Sequence, residues 1–186
     1  MIQTTLQKNL AKIIDEIHTL GRTKIDHFYL HIYEQHNQLQ YSIDDASAAP
    51  YKYQIMDFDT EDIKDLTKTE LSLKVAKEIH QGIQKLHRDI ELLKTKALEI
   101  ITRNADTIID EMIDILDNNP TTTYYLNIEI EDDKITTNIS TAVESCYAYT
   151  IFDSDSRYIS KRQLYVQLLD MIRILQREWQ FLSYSL

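Results

Sequence analysis

Two pairs of aspartates, Asp57 with Asp59 and Asp153 with Asp155, come nearest to a chemical site by spacing. Carboxylates two positions apart can chelate a hard cation through oxygen. Both pairs also stand where a strand should end and a helix begin, a place where Asp, Ser and Thr act as caps and turn formers. Spacing fixes no further acidic cluster nearby, so no metal is expected. The six histidines are His18, His27, His31, His36, His80 and His87. His27 and His31 would lie ~13 Å apart along a strand, too far to share a metal. His80 and His87 would lie ~10 Å apart along a helix axis. All six are expected to be ordinary surface histidines. Cys146 has no histidine in its half of the chain and is expected as a buried or half-buried thiol. No Gly-x-Ser-x-Gly turn occurs, and two glycines in the whole chain leave no phosphate-binding loop. No catalytic residue and no cofactor can be named.

A third kind of candidate is a motif that occurs twice. "LQKNLAKIIDEI" begins at Leu6, and "ITRNADTIIDEM" begins 95 residues later at Ile101. Asn9, Ile13, Ile14, Asp15 and Glu16 recur as Asn104, Ile108, Ile109, Asp110 and Glu111. Farther on the offset becomes 96: Leu30, Ile32, Ile43, Tyr51, Tyr53 and Ile55 meet Leu126, Ile128, Ile139, Tyr147, Tyr149 and Ile151. A constant offset over this length marks an internal duplication. The Asp-Glu pair is therefore read as part of a repeated scaffold, with copies at 1–93 and 94–186.

Each copy must then supply the same elements. Leu6, Leu10, Ile13, Ile14, Ile17 and Leu20 have helical spacing, as do Ile101, Ala105, Ile108, Ile109, Met112 and Ile115. Gly21 and Pro120 should stop these helices. "HFYLHIY" alternates Phe28, Leu30 and Ile32 inward with His27, Tyr29, His31 and Tyr33 outward. "YYLNIEI" places Tyr124, Leu126, Ile128 and Ile130 inward and Tyr125, Asn127 and Glu129 outward. Polar turns at "EQHN" and "EDDK" lead to second strands, and "YKYQI" and "YAYTI" make third strands; turns this short imply antiparallel pairing. The closing helices carry Val75, Ile79, Ile83, Leu86, Ile90 and Leu93, and Leu164, Leu168, Met171, Ile172, Leu175, Trp179 and Leu182. The expected fold class is α+β: two tandem α-β-β-β-α repeats with antiparallel sheets covered by helices. No glycine or proline falls between Ile83 and Asn119, and the apolar stripe crosses the junction with a one-residue slip. One continuous helix joining the copies is expected; the alternative is a break near "RNAD", with Asn104 or Asp106 as cap.

Hydrophobic residues make up 43% of the 186, enough for a packed core. No opening segment reads as a signal, and no apolar run approaches the ~20 residues of a membrane helix. A cytoplasmic protein that does not engage membranes is expected. The formal net charge of −10 disfavours nucleic acid, which needs clustered Lys and Arg. An acidic chain suits a basic partner.

The acidity is concentrated. Between Asp106 and Glu144 stand ten acids and one base, Lys134. Asp106, Asp110, Asp114 and Asp117 recur on one helix face, where the first copy has Ala11, Asp15, Thr19 and Arg22. Glu129, Glu131, Asp132 and Asp133 extend the acidity into the hairpin, and Tyr125 stands outward beside them as a possible anchor. Like charges at four-residue spacing repel. Two readings stay open: a solvated face that drifted acidic, or a surface that steers and holds a basic partner.

"IIDEI" before "FYLHIY", "IIDEM" before "YYLNIEI", and the closing "LQREWQFL" resemble the YezG-like immunity proteins of bacterial polymorphic toxins. The chain departs from that family in being duplicated and in lacking a tryptophan just before either first strand. The resemblance implies a non-enzymatic cytoplasmic protein that binds and blocks a toxin made by its own cell. Its alternative is an acidic secretion chaperone, and a third reading is an enzyme built on the two Asp-x-Asp pairs.

Overall fold

A computed structural model describes residues 1–36, 38–46, 49–118, 122–154 and 159–186. The chain is α+β, with two antiparallel three-stranded sheets flanked by helices. It divides into two compact units: Met1–Ser47, Lys52–Arg88 and Tyr184–Leu186 form the first, and Ala48–Tyr51 with Asp89–Ser183 form the second.

In the first unit, α1 (Ile2–Leu20) buries Ile2, Leu6, Ile13, Ile14 and Ile17, one stripe of a 3.6-residue period. It ends at Gly21, whose N–H bonds to the carbonyl of Ile17 at 2.8 Å. Strands β1 (His27–Gln35), β2 (Gln38–Asp44) and β3 (Tyr53–Asp59) pair in the order β2-β1-β3. Leu30 faces Ile43 and Ile32 faces Tyr41 across the first hairpin. Phe28, Leu30 and Ile32 are buried, as alternation requires. Helix α2 (Lys68–Leu92) closes the layer with Leu71, Val75, Ile79 and Leu86. Its crossing with β3 is very close: a Cβ on Gly82 would lie 1.8 Å from the carbonyl oxygen of Ile55. Ile83, expected in the buried stripe, is only half-buried, because Gly82 takes the contact with the sheet.

In the second unit, α4 (Ala105–Asn118) buries Ala105, Ile108, Ile109 and Met112. Strands β4 (Thr122–Glu131), β5 (Lys134–Ser140) and β6 (Tyr147–Ser154) pair in the order β5-β4-β6. The hairpin turns through Asp132 and Asp133, both at positive φ (46° and 60°). Two left-handed residues make the primed turn whose twist matches the strands. Helix α5 (Lys161–Ser185) closes this unit with Leu164, Leu168, Ile172, Leu175 and Trp179. The Trp179 indole N–H donates to the Tyr149 hydroxyl at 2.9 Å, and the rings meet edge-on at 5.9 Å. Tyr51 packs edge-on against Tyr149 at 5.4 Å, and its backbone N–H reaches the carbonyl of Ala148 at 3.2 Å on β6.

The closing helices begin with the same device. Thr67 and Glu70 form a reciprocal capping box, with Thr67 N–H and hydroxyl donating to the Glu70 carboxylate at 2.9 and 2.7 Å. Ser160 and Gln163 repeat it at 2.8 and 2.7 Å. These residues, and not the aspartate pairs, start the helices. Asp59 instead accepts from the N–H of Glu61 in a turn, and Asp57 is exposed on β3. Asp155 lies outside the described residues, as does Pro120.

At the junction, helical bonding runs from α2 through a π-helical segment, Leu93–Ala97, into α3 (Leu98–Arg103). The wider π turn absorbs the one-residue slip: Leu93, Ala97 and Ile101, four apart, are all fully buried. The helix does not continue unbroken to Asn119. Asn104 leaves helical geometry (φ −97°, ψ 15°), and its carbonyl accepts the Ile108 N–H at 3.0 Å. The break falls at "RNAD", where a polar residue can satisfy the free groups of a new helix start.

Candidate functional site

The acidic stripe of α4 lies on the face opposite its buried residues: Asp106, Asp110, Asp114 and Asp117 are all exposed. From first to last they span about 16 Å of helix. Neighbouring members rise about 6 Å or less, inside the ~8 Å screening length at physiological salt, so they act as one field. Asp106 sits in the first turn, where the helix dipole favours an anion. Asp114 and Asp117 sit toward the other end, where the dipole disfavours them, and no basic residue occupies the last turn.

Asp110 differs from the other three. Its carboxylate meets the Lys161 ammonium at 2.5 Å, joining α4 to the start of α5. That hydrogen bond, with the charges of Asp110 and Asp106, holds the Lys161 ammonium above its usual range. The first unit has the same bridge: Asp15 meets Lys68 at 2.6 Å. The Asp of Ile-Ile-Asp-Glu therefore ties the opening helix to the closing helix in both copies. Asp106, Asp114 and Asp117 have no acidic counterpart in the first copy, and they carry the difference.

The hairpin residues Glu129, Glu131, Asp132 and Asp133 are exposed, and Tyr125 is half-buried. Glu129 accepts from Thr136 at 3.5 Å across the strands. The backbone carbonyl of Asp133 accepts from Lys96 at 3.3 Å, which places the turn beside the π-helical segment. The acids stand on two elements, a helix face and a hairpin tip. Neither holds a buried carboxylate, so both offer a fixed negative field and no shielded acid–base pair.

Two outward positions behave otherwise than their alternation predicts. His31 is not a surface histidine; it is fully buried. Its Nδ1 lies 3.1 Å from Asp44, which also accepts from Lys52 at 2.9 Å and Ser42 at 3.1 Å. Lys52 stands over the Tyr33 ring at 5.6 Å. Burial pushes the Asp44 carboxyl up, but the bond from Lys52, with the charges of His31 and Lys52, outweighs it and the net shift is downward. Asn127, at the matching place in the second copy, is also fully buried. It donates to Ser140 and to the Ala142 carbonyl, each at 3.1 Å, and accepts the Glu144 N–H at 2.9 Å. The loop after β5 folds over it, and Ser145 holds that loop to the Ile128 carbonyl at 2.5 Å. Alternation predicts a face, and only the loops decide whether that face meets water. The available signal was the match of His31 with Asn127, each followed at the same spacing by an acceptor, Asp44 or Ser140.

The remaining histidines sit in ordinary surroundings. His27 lies 3.9 Å from Asp59, His18 contacts Arg22 at 3.2 Å and His80 contacts Gln84 at 3.1 Å. Cys146 is half-buried just before β6. Among the described residues no three His, Cys, Asp or Glu side chains cluster as metal ligands, and no helix is long and apolar enough to cross a membrane.

No family model matches the chain, and no curated protein or solved structure is similar to it.

Proposed function

We propose that this chain is a non-enzymatic, cytoplasmic immunity or inhibitor protein that binds and neutralises a cognate bacterial toxin through the acidic surface of its second repeat. One observation carries the reading. Asp106, Asp114 and Asp117 are exposed, absent from the first copy and, at the last two positions, set against the helix dipole. A face that costs stability and is not inherited fits a role in meeting a basic partner, such as the positive active-site surface of a nuclease.

The test replaces Asp106, Asp114 and Asp117 by lysine and leaves Asp110 to its bridge with Lys161. Wild-type and variant chains serve as baits in the native cell, and the bound protein is identified. Its toxicity is then measured with each chain co-expressed. The expected result is capture weakened by salt for the wild type, and loss of both capture and protection for the variant. Equal capture by both chains, insensitive to salt, sinks the acidic-face reading.

The secretion-chaperone reading draws on a different feature. The first unit has a groove of about 230 Å³ between α1 and α2, lined by Leu6, Leu10, Ala76, Ile79 and Ile83. An exported chain could lie there. If a secreted effector is captured and substitution of Leu10 by serine releases it while the triple lysine variant does not, the chaperone reading replaces the first.

A further inference from the structure

Strand β2 lies at one edge of the first sheet, and its outer side is open. Gln35 and Gln38 pair beside the turn and exchange both main-chain bonds, as so short a connection requires. The pairs Tyr33–Gln40 and His31–Ser42 repeat that pattern. Leu39, Tyr41 and Ile43 therefore turn their N–H and C=O groups away from β1. Among the described residues no other segment bonds these groups. Exposed edges are usually blunted by a proline, an inward charge or a bulge. β2 has no proline, and its one charge is Asp44 at the last position. Its register with β1 is unbroken, and the irregularity of this sheet falls between β1 and β3.

Helix α1 stands beside that edge as a wall. The Tyr41 hydroxyl donates to Glu16 at 3.3 Å, and the Lys12 ammonium lies over the Tyr41 ring at 5.8 Å. Between helix and strand runs a groove of about 240 Å³, lined by Thr5, Asn9, Lys12 and Glu16 of α1 and by residues 39–42 of β2. Leu39 and Tyr41 alternate in direction with Gln40 and Ser42, so a groove that touches all four follows the edge of the strand and not one face of the sheet. The second repeat has Thr107 and Thr137 in the places of Lys12 and Tyr41, and it cannot tie its helix to its edge strand in this way.

We propose that this groove takes an extended polar segment of a partner polypeptide, which adds to β2 as a fourth strand of the first sheet. The open groups of Leu39, Tyr41 and Ile43 recur ~7 Å apart, a spacing that another extended main chain matches. Main-chain bonds then supply affinity, and alternate side chains supply specificity. Lys12 and Glu16 lie 3.9 Å apart and offset each other, so the wall calls for polar side chains without a net charge. A second copy of this chain is a poorer occupant, because its own α1 would enter the same space beside its β2. The site belongs to the first unit and does not rest on the acidic face of the second.

The probe is a displayed library of random octapeptides selected on the full chain, and the strongest binder is then synthesised. Polar, strand-forming sequences are expected, with an affinity by fluorescence anisotropy that salt hardly changes. In amide exchange the peptide should slow the N–H groups of Leu39, Tyr41 and Ile43 and leave those of Gln40 and Ser42, already bonded to β1, unchanged. N-methylation of alternate peptide residues removes the donors of one peptide edge. One of the two alternating sets should weaken binding about tenfold, and the other should not. Asn9→Trp, which puts an indole into the groove, and Tyr41→Pro, which deletes one outward donor, should each weaken it about as much. Melting curves show whether each variant folds, and the N-methylated peptides need no variant. No enriched peptide, or a binder that leaves the three amides unprotected, overturns the proposal. So does a lysine-rich binder that high salt or the triple lysine variant releases and Asn9→Trp does not; that result supports the acidic face instead. Sedimentation showing a dimer that Asn9→Trp dissociates also overturns it, because a second copy then occupies the edge.

Discussion

The two repeats solve the same construction problem with different residues. In the first, the closing helix comes against its sheet through Gly82, where only a hydrogen fits beside the Ile55 carbonyl. Counting from the capping boxes, the matching residue of the second closing helix is Leu175, fully buried. The central strand buries a polar residue outward in both: His31 in a charged cluster with Asp44 and Lys52, Asn127 in a neutral net of Ser140, Ala142 and Glu144. The opening helices share the Asp15–Lys68 and Asp110–Lys161 bridges and differ in the acids added around the second. What is common is the frame; what differs is how the helix meets the sheet, how one polar residue is satisfied, and how much charge one helix face bears.

The helix–sheet contrast has the largest expected effect. Gly82→Ala forces a methyl group into the backbone of β3 and should cost about 3 kcal/mol in urea melts. Leu175→Ala should cost about 2–5 kcal/mol by the opposite route, a cavity. If Gly82→Ala melts like the wild type, the close approach is wrong and the contrast between the helices collapses.

Next comes the buried polar pair. Asn127→Ala leaves the Glu144 N–H without its acceptor and frees the loop after β5; about 2 kcal/mol should be lost. The same loop should gain fast amide exchange at Glu144 and Ser145. Should His31→Asn, which installs the second copy's residue in the first, prove harmless, the charged cluster around it is dispensable.

Titration should separate the units by sign. Asp44 has a lowered folded pKa, so its contribution is present above the unfolded value of 3.8 and is lost as pH falls through the folded one. Asp44→Asn should flatten the acid limb of a stability–pH curve below about pH 4. Tyr147 in the second unit behaves oppositely. Burial first, and then the charge of Asp89, to which its hydroxyl donates, push the phenol well above 10.0. Its contribution is complete below 10.0 and is lost as pH rises through the folded value. Tyr147→Phe should soften the alkaline limb only. An acid limb unchanged in the Asp44 variant would deny the cluster its role.

The smallest effect is the sharpest for function. Asp117→Asn removes an anion from the unfavourable end of α4 and should raise stability by about 0.3–1 kcal/mol. The same change should weaken partner binding. A gain in stability without loss of binding would make the stripe a drifted surface.

The sequence alone determined what local periodicity can carry. Apolar spacing sets each helix and strand, and a constant offset reveals the duplication. The turn at "EDDK" follows from polar residues able to adopt left-handed geometry, while Asn37 of "EQHN" lies outside the described residues, and the acidic face of α4 follows from Asp at four-residue spacing. Even the capping boxes, Thr67 with Glu70 and Ser160 with Gln163, were written there, but the more conspicuous aspartates nearby masked them. Tertiary structure decided the rest. It chose Gly82 as the point of closest approach, gave Asp110 a structural partner, buried His31 and Asn127 on faces that alternation turns outward, and broke the long helix at Asn104. Periodicity tells a residue which way to point, whereas burial and pairing depend on segments distant in sequence that arrive in front of it.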